Sequence, residues 1–148
     1  MRMKLISYLN KSLKSEELIE LFETNDVDVI YTYDRNYEGR ADEYIGSIRD
    51  LGLQFIFNET QILSTIFIYI KDEEFLSANL ESLGLSTFDS KNNLMKYAQQ
   101  NSLKYFEGRA VFFGQEREWL KLDFLNYTVH YEFREDSLSL VTLQSKNA

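Results

Sequence analysis

The chain contains no cysteine and no proline, and it has only six glycines and one histidine. The absence of cysteine excludes disulfide bonds, thiolate nucleophiles and thiolate metal ligands. With no proline and so few glycines, many turns must be formed by Asn, Asp and Ser. The longest apolar run, residues 62–70, is interrupted by Ser64 and Thr65 and is far shorter than the roughly 20 residues that a membrane-spanning helix needs.

The 148 residues, of which 44 % are hydrophobic and 15 % aromatic, predict a single folded domain over residues 1–148 with one sizeable core. The 24 acidic residues outnumber the 16 basic ones, which gives a net charge of −8. This balance argues against binding to nucleic acid and to anionic membranes, because both need clustered Lys and Arg. It favours a basic protein partner, while the alternative is that the charge serves solubility. The first 20 residues lack the long apolar region of a secretion signal, so we expect a cytoplasmic protein.

Hydrophobic periodicity predicts an α+β fold. Apolar residues at helical spacing predict one helix from the N-cap Ser15 to Asn25 and a second from the N-cap Ser90 to Asn101. A further short helix is predicted around residues 4–9. Strand patterns occur at residues 27–33, 43–48, 53–57, 62–70, 119–124, 127–134 and 138–143. We therefore predict an antiparallel β-sheet meander with helices packed on one face, in which residues 62–70 form a central strand because they are apolar on both faces.

The same order of elements, a helix followed by a meander, occurs in both halves of the chain. A shift of 76 residues places Leu18 on Leu94 and Phe57 on Phe133. This order predicts two helix-plus-meander repeats, over residues 15–70 and 90–145, that share one sheet.

The stretch DRNYEGRADEY, residues 34–44, has acidic and Asn residues near the spacing of a calcium-binding loop. An EF-hand needs a bidentate Glu at its twelfth position, where this chain has Ile45, and strand patterns flank the stretch. The EGRA tetrad recurs at residues 107–110, so its glycine is expected to serve a turn or a bulge. We predict no metal and no cofactor here. The remaining interpretations are a solvated turn or a recognition loop that uses five residues: Asp34, Tyr37, Glu38, Asp42 and Tyr44.

His130 lies on the strand pattern 127–134, whose odd-numbered apolar residues should point into the core. Its own side of the strand would then carry Glu132, and Asp123 would lie across from it on the preceding strand. A general base with a carboxylate partner, or a glycosidase-like carboxylate pair, is one interpretation of these three residues. The other is an exposed polar group, since the chain has no nucleophile motif around a serine.

Two runs in the chain, DLGLQFIFNETQILSTIFIYI and EWLKLDFLNYTVHYEFREDSLSLVTL, resemble small acidic immunity proteins of bacterial contact-dependent inhibition and related polymorphic toxin systems. The resemblance extends over residues 27–143 and consists of a Gly-Leu-x-Phe hairpin, a central strand, a helix, a Trp-led strand and two final strands. The repeated helix-plus-meander plan also resembles the tandem-repeat architecture of β-lactamase inhibitory proteins, from which this chain differs in having no cysteine and no export signal.

The resemblance implies a cytoplasmic antitoxin that binds and neutralises a cognate toxin domain. Such a toxin would be basic, an RNase or a DNase, and the antitoxin would block its active site or substrate groove. We place the partner-binding surface on the 34–44 stretch together with Asp123, His130 and Glu132. The alternatives are a small enzyme that uses His130 with Glu132 or Asp123, and a regulatory module that binds a small ligand.

Overall fold

The computed structural model describes residues 3–25, 27, 29–32 and 42–148, with the backbone alone at residues 32 and 112. Two α-helices, α1 (Glu16–Thr24) and α2 (Lys91–Gln100), accompany eight strands. The strands are β1 (Val29–Thr32), β2 (Glu43–Ile48), β3 (Leu53–Phe57), β4 (Leu63–Tyr69), β5 (Lys104–Phe112), β6 (Gln115–Asp123), β7 (Tyr127–Arg134) and β8 (Ser137–Ser145). The predicted α+β class is confirmed.

Both helices begin and end at the predicted residues. Ser90 caps α2 by accepting a hydrogen bond from the Asn93 backbone N–H at 3.2 Å. Ser15 precedes α1 without such a bond, and the negative charges of Glu16 and Glu17 in the first turn favour this helix end instead. The predicted short helix near the N-terminus is a single 3₁₀ turn, Leu5–Tyr8. Within the described residues, no helix is both long and apolar enough to cross a membrane.

All eight strands form one antiparallel sheet in the order β1-β2-β3-β4-β8-β7-β6-β5. Each half of the chain contributes a helix and a four-stranded meander, and the halves join where β4 pairs with β8. The predicted central position of β4 is therefore confirmed. The internal repeat itself stays a prediction.

The helices cover one face of the sheet, which we call the helix face. Phe22 of α1 packs edge-on against Phe55 and Phe57 of β3, with ring centroids 5.4 and 6.0 Å apart. In the second half, Leu94 and Ala98 of α2 are fully buried. The core lies between these helices and the inward residues of β3, β4, β6, β7 and β8. The opposite face carries neither α1 nor α2, and we call it the open face.

One strand was missed by the periodicity. β5 forms the edge of the sheet and includes the second EGRA tetrad in its middle. Gly108 therefore serves neither a turn nor a bulge, because β5 and β6 pair in continuous register through it. The first EGRA copy lies outside the described residues.

Candidate functional site

The open face of β5–β8 is built around an aromatic pair. The rings of Trp119 and His130 stack with centroids 5.4 Å apart and planes inclined by 24°. Trp119 lies opposite Glu132, and His130 lies opposite Lys121. The predicted alternation of β7 is confirmed, since Val129, Tyr131 and Phe133 are buried in the core while His130 lies on the other side.

This environment keeps the imidazole of His130 neutral near pH 7. Burial lowers the pKa of His130 below its usual value, and the positive charge of Lys121 lowers it further, whereas Glu132 opposes the shift. A half-buried neutral imidazole that stacks on an indole contributes contact area and one hydrogen-bond donor. The neighbours of His130 are thus the ring of Trp119 and two groups of opposite charge, Lys121 and Glu132.

Asp123 lies on the same face but is not paired with Glu132. It forms ion pairs with Lys146 and, at 3.5 Å, with Lys104. The hydrogen bond from Lys146 is the main cause that lowers the pKa of Asp123. Since Glu132 lies opposite Trp119, four residues from Asp123 along β6, the two carboxylates are about 13 Å apart along the strand. The glycosidase-like pair expected from the sequence is therefore not assembled.

The charge of this face also differs from the expectation of an acidic surface. On β5–β7 it carries two carboxylates, Asp123 and Glu132, among four basic side chains. The basic residues are Lys104, Arg117, Lys121 and Arg134. The excess of acidic residues lies elsewhere on the molecule.

Of the predicted recognition loop, the structure describes two residues. The Tyr31 hydroxyl donates a hydrogen bond to Asp42 at 2.6 Å, and the ring of Tyr44 lies 4.8 Å from that of Tyr31. Tyr44 is partly buried against the core, so it belongs to the helix face. Asp34, Tyr37 and Glu38 lie outside the described residues.

The structure does not bring the two predicted groups together. Asp42 and Tyr44 lie at β2, and His130 lies on β7, with three strands between them. At about 4.8 Å per strand, this separates them by roughly 19 Å, and they also face opposite sides of the sheet. Within the described part of the chain, no group of three or more potential metal ligands occurs.

A further surface, which the sequence analysis missed, lies where the segment after β4 folds over the end of the sheet. There the ring of Phe75 stacks on Tyr69 with centroids 4.3 Å apart. Phe75 is buried but lies outside the main core. The Tyr69 hydroxyl in turn donates a hydrogen bond to Gln54 at 3.1 Å.

Acidic side chains surround this aromatic pair. Asp72, Glu73 and Glu74 are exposed and line a concavity of about 670 Å³ together with Tyr69 and Phe75. We call this concavity the acidic–aromatic pocket. Burial, and then the negative charges of Asp72 and Glu74, raise the pKa of Tyr69. The negative potential of the carboxylates therefore acts on Tyr69, which stacks on Phe75 at the base of the pocket.

Two basic residues also line the acidic–aromatic pocket, and each has a partner. Lys71 contacts the Ser137 hydroxyl, and Arg134 pairs with Glu132 at 3.5 Å. The carboxylate of Asp72 is positioned by the backbone, because it accepts hydrogen bonds from the N–H groups of Glu74 and Phe75 at 2.9 and 3.1 Å. The pocket is consequently a preformed feature of this segment.

Two other concavities bear on the ligand-binding alternative. One, of about 480 Å³, lies between the segment 78–81 and the start of β8. The second, of about 410 Å³, lies beside α1 and includes Glu17 and Glu20. His130 lines neither of them, nor does it line the acidic–aromatic pocket.

Comparisons with protein-family models, with curated proteins and with solved structures give no match for this chain. The resemblance to immunity proteins therefore stays a prediction.

Proposed function

We propose that the chain is a cytoplasmic immunity protein that binds a basic toxin domain, such as a nuclease, and blocks its active site or substrate groove. The observation that carries this proposal is the acidic–aromatic pocket, in which exposed carboxylates surround a rigid pair of stacked rings. The excess of 24 acidic over 16 basic residues in the whole chain supports the same kind of partner.

The acidic–aromatic pocket has the chemistry that recognises a Lys or Arg side chain. A cation above an aromatic ring is attracted by the ring quadrupole, and nearby carboxylates add charge-assisted hydrogen bonds. Arg49 already illustrates the preference, since its guanidinium lies 5.8 Å from the Phe75 ring and 3.9 Å from Glu74. A basic side chain of the toxin would reach the exposed carboxylates of Asp72, Glu73 and Glu74 and the partly exposed Tyr69 from the solvent side.

The preformed geometry also lowers the cost of binding. Tyr69 is held by its hydrogen bond to Gln54, and Asp72 is held by two backbone N–H groups. Groups that are already ordered lose little conformational entropy when a partner docks. The net charge of −8 would in addition speed the encounter with a basic protein at low ionic strength.

The partner-binding role of the residues chosen from the sequence remains part of the proposal. Asp42 and Tyr44 lie near one edge of the sheet, whereas Asp123, His130 and Glu132 lie on the open face of the other half. Since these groups are far apart and face opposite sides of the sheet, a toxin that contacts all of them would have to reach around the edge of the sheet. The acidic–aromatic pocket lies at the end of the central strands, between the two groups.

The test is co-expression with the C-terminal domain of the protein encoded immediately upstream of this chain, followed by calorimetry at low and high salt. The informative variant is Glu73→Gln with Glu74→Gln, which removes two exposed charges and leaves Asp72 to shape the segment. A matched control is Glu20→Gln with Glu23→Gln on the exposed side of α1, which makes the same change in net charge.

We expect tight binding that weakens with salt, and about a tenfold or larger loss of affinity in the pocket variant only. Equal losses in both variants would show that net charge, not the pocket, governs binding. Absence of binding by the unaltered chain would overturn the proposed function itself.

A further inference from the structure

The outer strand of the second half and the turn after it expose three large apolar side chains. Phe106 and Val111 of β5 are 46 % and 68 % exposed, and Phe113 in the following turn is fully exposed. β5 is also nine residues long, and among the described strands it pairs with β6 alone. Helix α2 packs against β6. A long edge strand with exposed apolar side chains is a template for pairing with another strand.

We propose that β5 pairs antiparallel with β5 of a second copy of this chain, so that two eight-stranded sheets join into one continuous sheet. This inference is independent of the proposed function. It depends on which backbone groups of β5 point outward and on which side chains would then face one another.

The turn between β5 and β6 determines the outward groups. Phe113 and Gly114 both have positive φ, 49° and 77°, as in a two-residue type I′ turn. The residues that flank such a turn, Phe112 and Gln115, form a hydrogen-bonded pair, and every second pair along the ladder is hydrogen-bonded in the same way. The alternate residues of β5 therefore direct their N–H and C=O groups away from β6. They are Tyr105, Glu107, Arg109 and Val111.

A backbone hydrogen bond on the far side of β6 agrees with this assignment. The Glu116 carbonyl accepts from the Glu135 N–H at 3.3 Å, so Glu116 directs its carbonyl away from β5. Its cross-strand neighbour is Val111, which must then direct its own groups to the outer edge.

Strand overlap and charge together favour one register among those that the outward groups allow. With the two-fold axis at Gly108, Glu107 of each copy faces Arg109 of the other, and all nine residues of β5 overlap. An axis at Glu107 would place two carboxylates opposite each other, and an axis at Arg109 would place two guanidinium groups there. Like charges directly opposite are destabilising, so the register centred on Gly108 is favoured over the registers centred on Glu107 and on Arg109.

The neighbouring charges extend this complementarity. Lys91 of α2 forms an ion pair with Glu107 at 3.3 Å, and Glu116 forms one with Arg109. In the proposed register the four side chains would form a chain of alternating sign across the interface, twice per dimer. Networks of this kind contribute more than isolated surface pairs.

The apolar side chains are matched in the same register. Val111 would lie opposite Tyr105 on the helix face, and Phe106 opposite Ala110 on the open face. These contacts would cover the exposed side chains of Val111 and Phe106. Charged residues on an edge strand usually oppose pairing, but in this register Glu107 and Arg109 face charges of opposite sign.

The experiment is sedimentation equilibrium of the full chain alone, with three charge variants. Arg109→Glu places two carboxylates opposite each other at both contacts, and Glu107→Arg places two guanidinium groups there. The double variant, Glu107→Arg with Arg109→Glu, restores complementarity between the two β5 strands, while the contacts of these positions with Lys91 and Glu116 become repulsive. We expect a dimer for the unaltered chain, about a tenfold or larger rise in its dissociation constant for each single variant, and partial recovery in the double variant.

Mixing the two single variants gives a second measurement. Each carries one charge sign at both positions, so a mixture should form heterodimers more tightly than either variant self-associates. Val111→Pro removes an outward N–H without removing a charge, and because edge strands tolerate proline the monomer should keep its circular dichroism spectrum while losing dimerisation. A monomeric unaltered chain, or a dimer that is unaffected by the single variants and by Val111→Pro, would overturn the proposal.

Discussion

The indole of Trp119 lies in the space that a side chain at Gly108 would occupy. A Cβ atom on Gly108 would lie 2.5 Å from Nε1 of Trp119 and still closer to its ring carbons. The two residues face each other on β5 and β6, so the indole packs directly on the backbone of the edge strand. This contact explains why the middle of the strand has a glycine.

Gly108→Ala should therefore destabilise the protein by about 1–3 kcal/mol, since the indole must leave its position. Urea unfolding of the variant and of the unaltered chain measures the difference. In Trp119→Ala the space is free, so the added methyl group of Gly108→Ala should cost much less. Additive effects of the two substitutions would show that the methyl group does not meet the indole.

The β7–β8 turn has two acidic residues in a conformation that favours Asn and Gly. Glu135 and Asp136 have φ of 51° and 60°, and they connect Arg134 to Ser137 as a two-residue turn. Side chains with a Cβ are strained in this region, and Asn-Gly is the preferred sequence of a type I′ turn. Replacing the pair by Asn-Gly should raise the free energy of unfolding by about 1 kcal/mol, because the relief of strain at two residues exceeds the freedom that glycine adds to the unfolded chain.

Thermal or urea unfolding tests this prediction, and Glu135→Gln is the matched control. That substitution removes a charge but keeps the strained backbone, so it should leave stability nearly unchanged. A similar gain from Glu135→Gln would mean that charge repulsion, and not φ strain, destabilises the turn.

The sequence predicted β3 and β7 correctly because a buried face imposes alternation on its strand. Phe55 and Phe133 are fully buried, and their polar neighbours point to the other side. β5 was missed for the converse reason. Glu107 and Arg109 occupy its helix-face positions, and at the edge of a sheet no core forces an apolar residue there.

The candidate site was predicted less well because its geometry depends on contacts between distant parts of the chain. The stacking of Phe75 on Tyr69 requires the segment after β4 to turn back against Gly52, where Leu76 donates its N–H to the Arg49 carbonyl at 2.9 Å. The periodicity of apolar residues along the sequence does not predict such a turn. The acidic run at residues 72–74 was visible in the sequence, but its aromatic floor was not.

The pKa of His130, the sole histidine, measures how far its surroundings on the open face disfavour a positive charge. Burial lowers the pKa of His130 in the folded protein, so the unfolded chain binds a proton more readily. The neutral imidazole therefore contributes stability that is fully present above the unfolded pKa of about 6.5. That contribution is lost as the pH falls below 6.5 and through the lower folded value.

The Hε1 resonance of His130 should titrate below 6.5 in the folded protein, and the free energy of unfolding should decrease between pH 7 and pH 5. His130→Gln should flatten this dependence, because the carboxylates titrate mainly below this window. A resonance that titrates at or above 6.5 would show that Glu132 outweighs the effects of burial and Lys121.

Tyr131 connects the sheet to the segment that precedes α2. Its hydroxyl donates a hydrogen bond to the Ser86 carbonyl at 3.1 Å, and its ring packs edge-on against Phe88 with centroids 5.5 Å apart. Burial raises the pKa of Tyr131 far above its usual value, so the hydroxyl stays protonated as a donor. Tyr131→Phe should keep the ring contact and leave the Ser86 carbonyl without this donor, at a cost of about 1 kcal/mol.

Tyr105→Phe is the control for this substitution, since the Tyr105 hydroxyl accepts a hydrogen bond from Gln99 at 3.1 Å in an exposed position. Water can replace that bond, so its loss should change the free energy of unfolding by less than about 0.5 kcal/mol. Hydrogen exchange of the amides in residues 84–88 adds a local readout. Faster exchange there in Tyr131→Phe alone would show that this hydroxyl holds the segment on the sheet, whereas equal exchange in both variants would contradict that role.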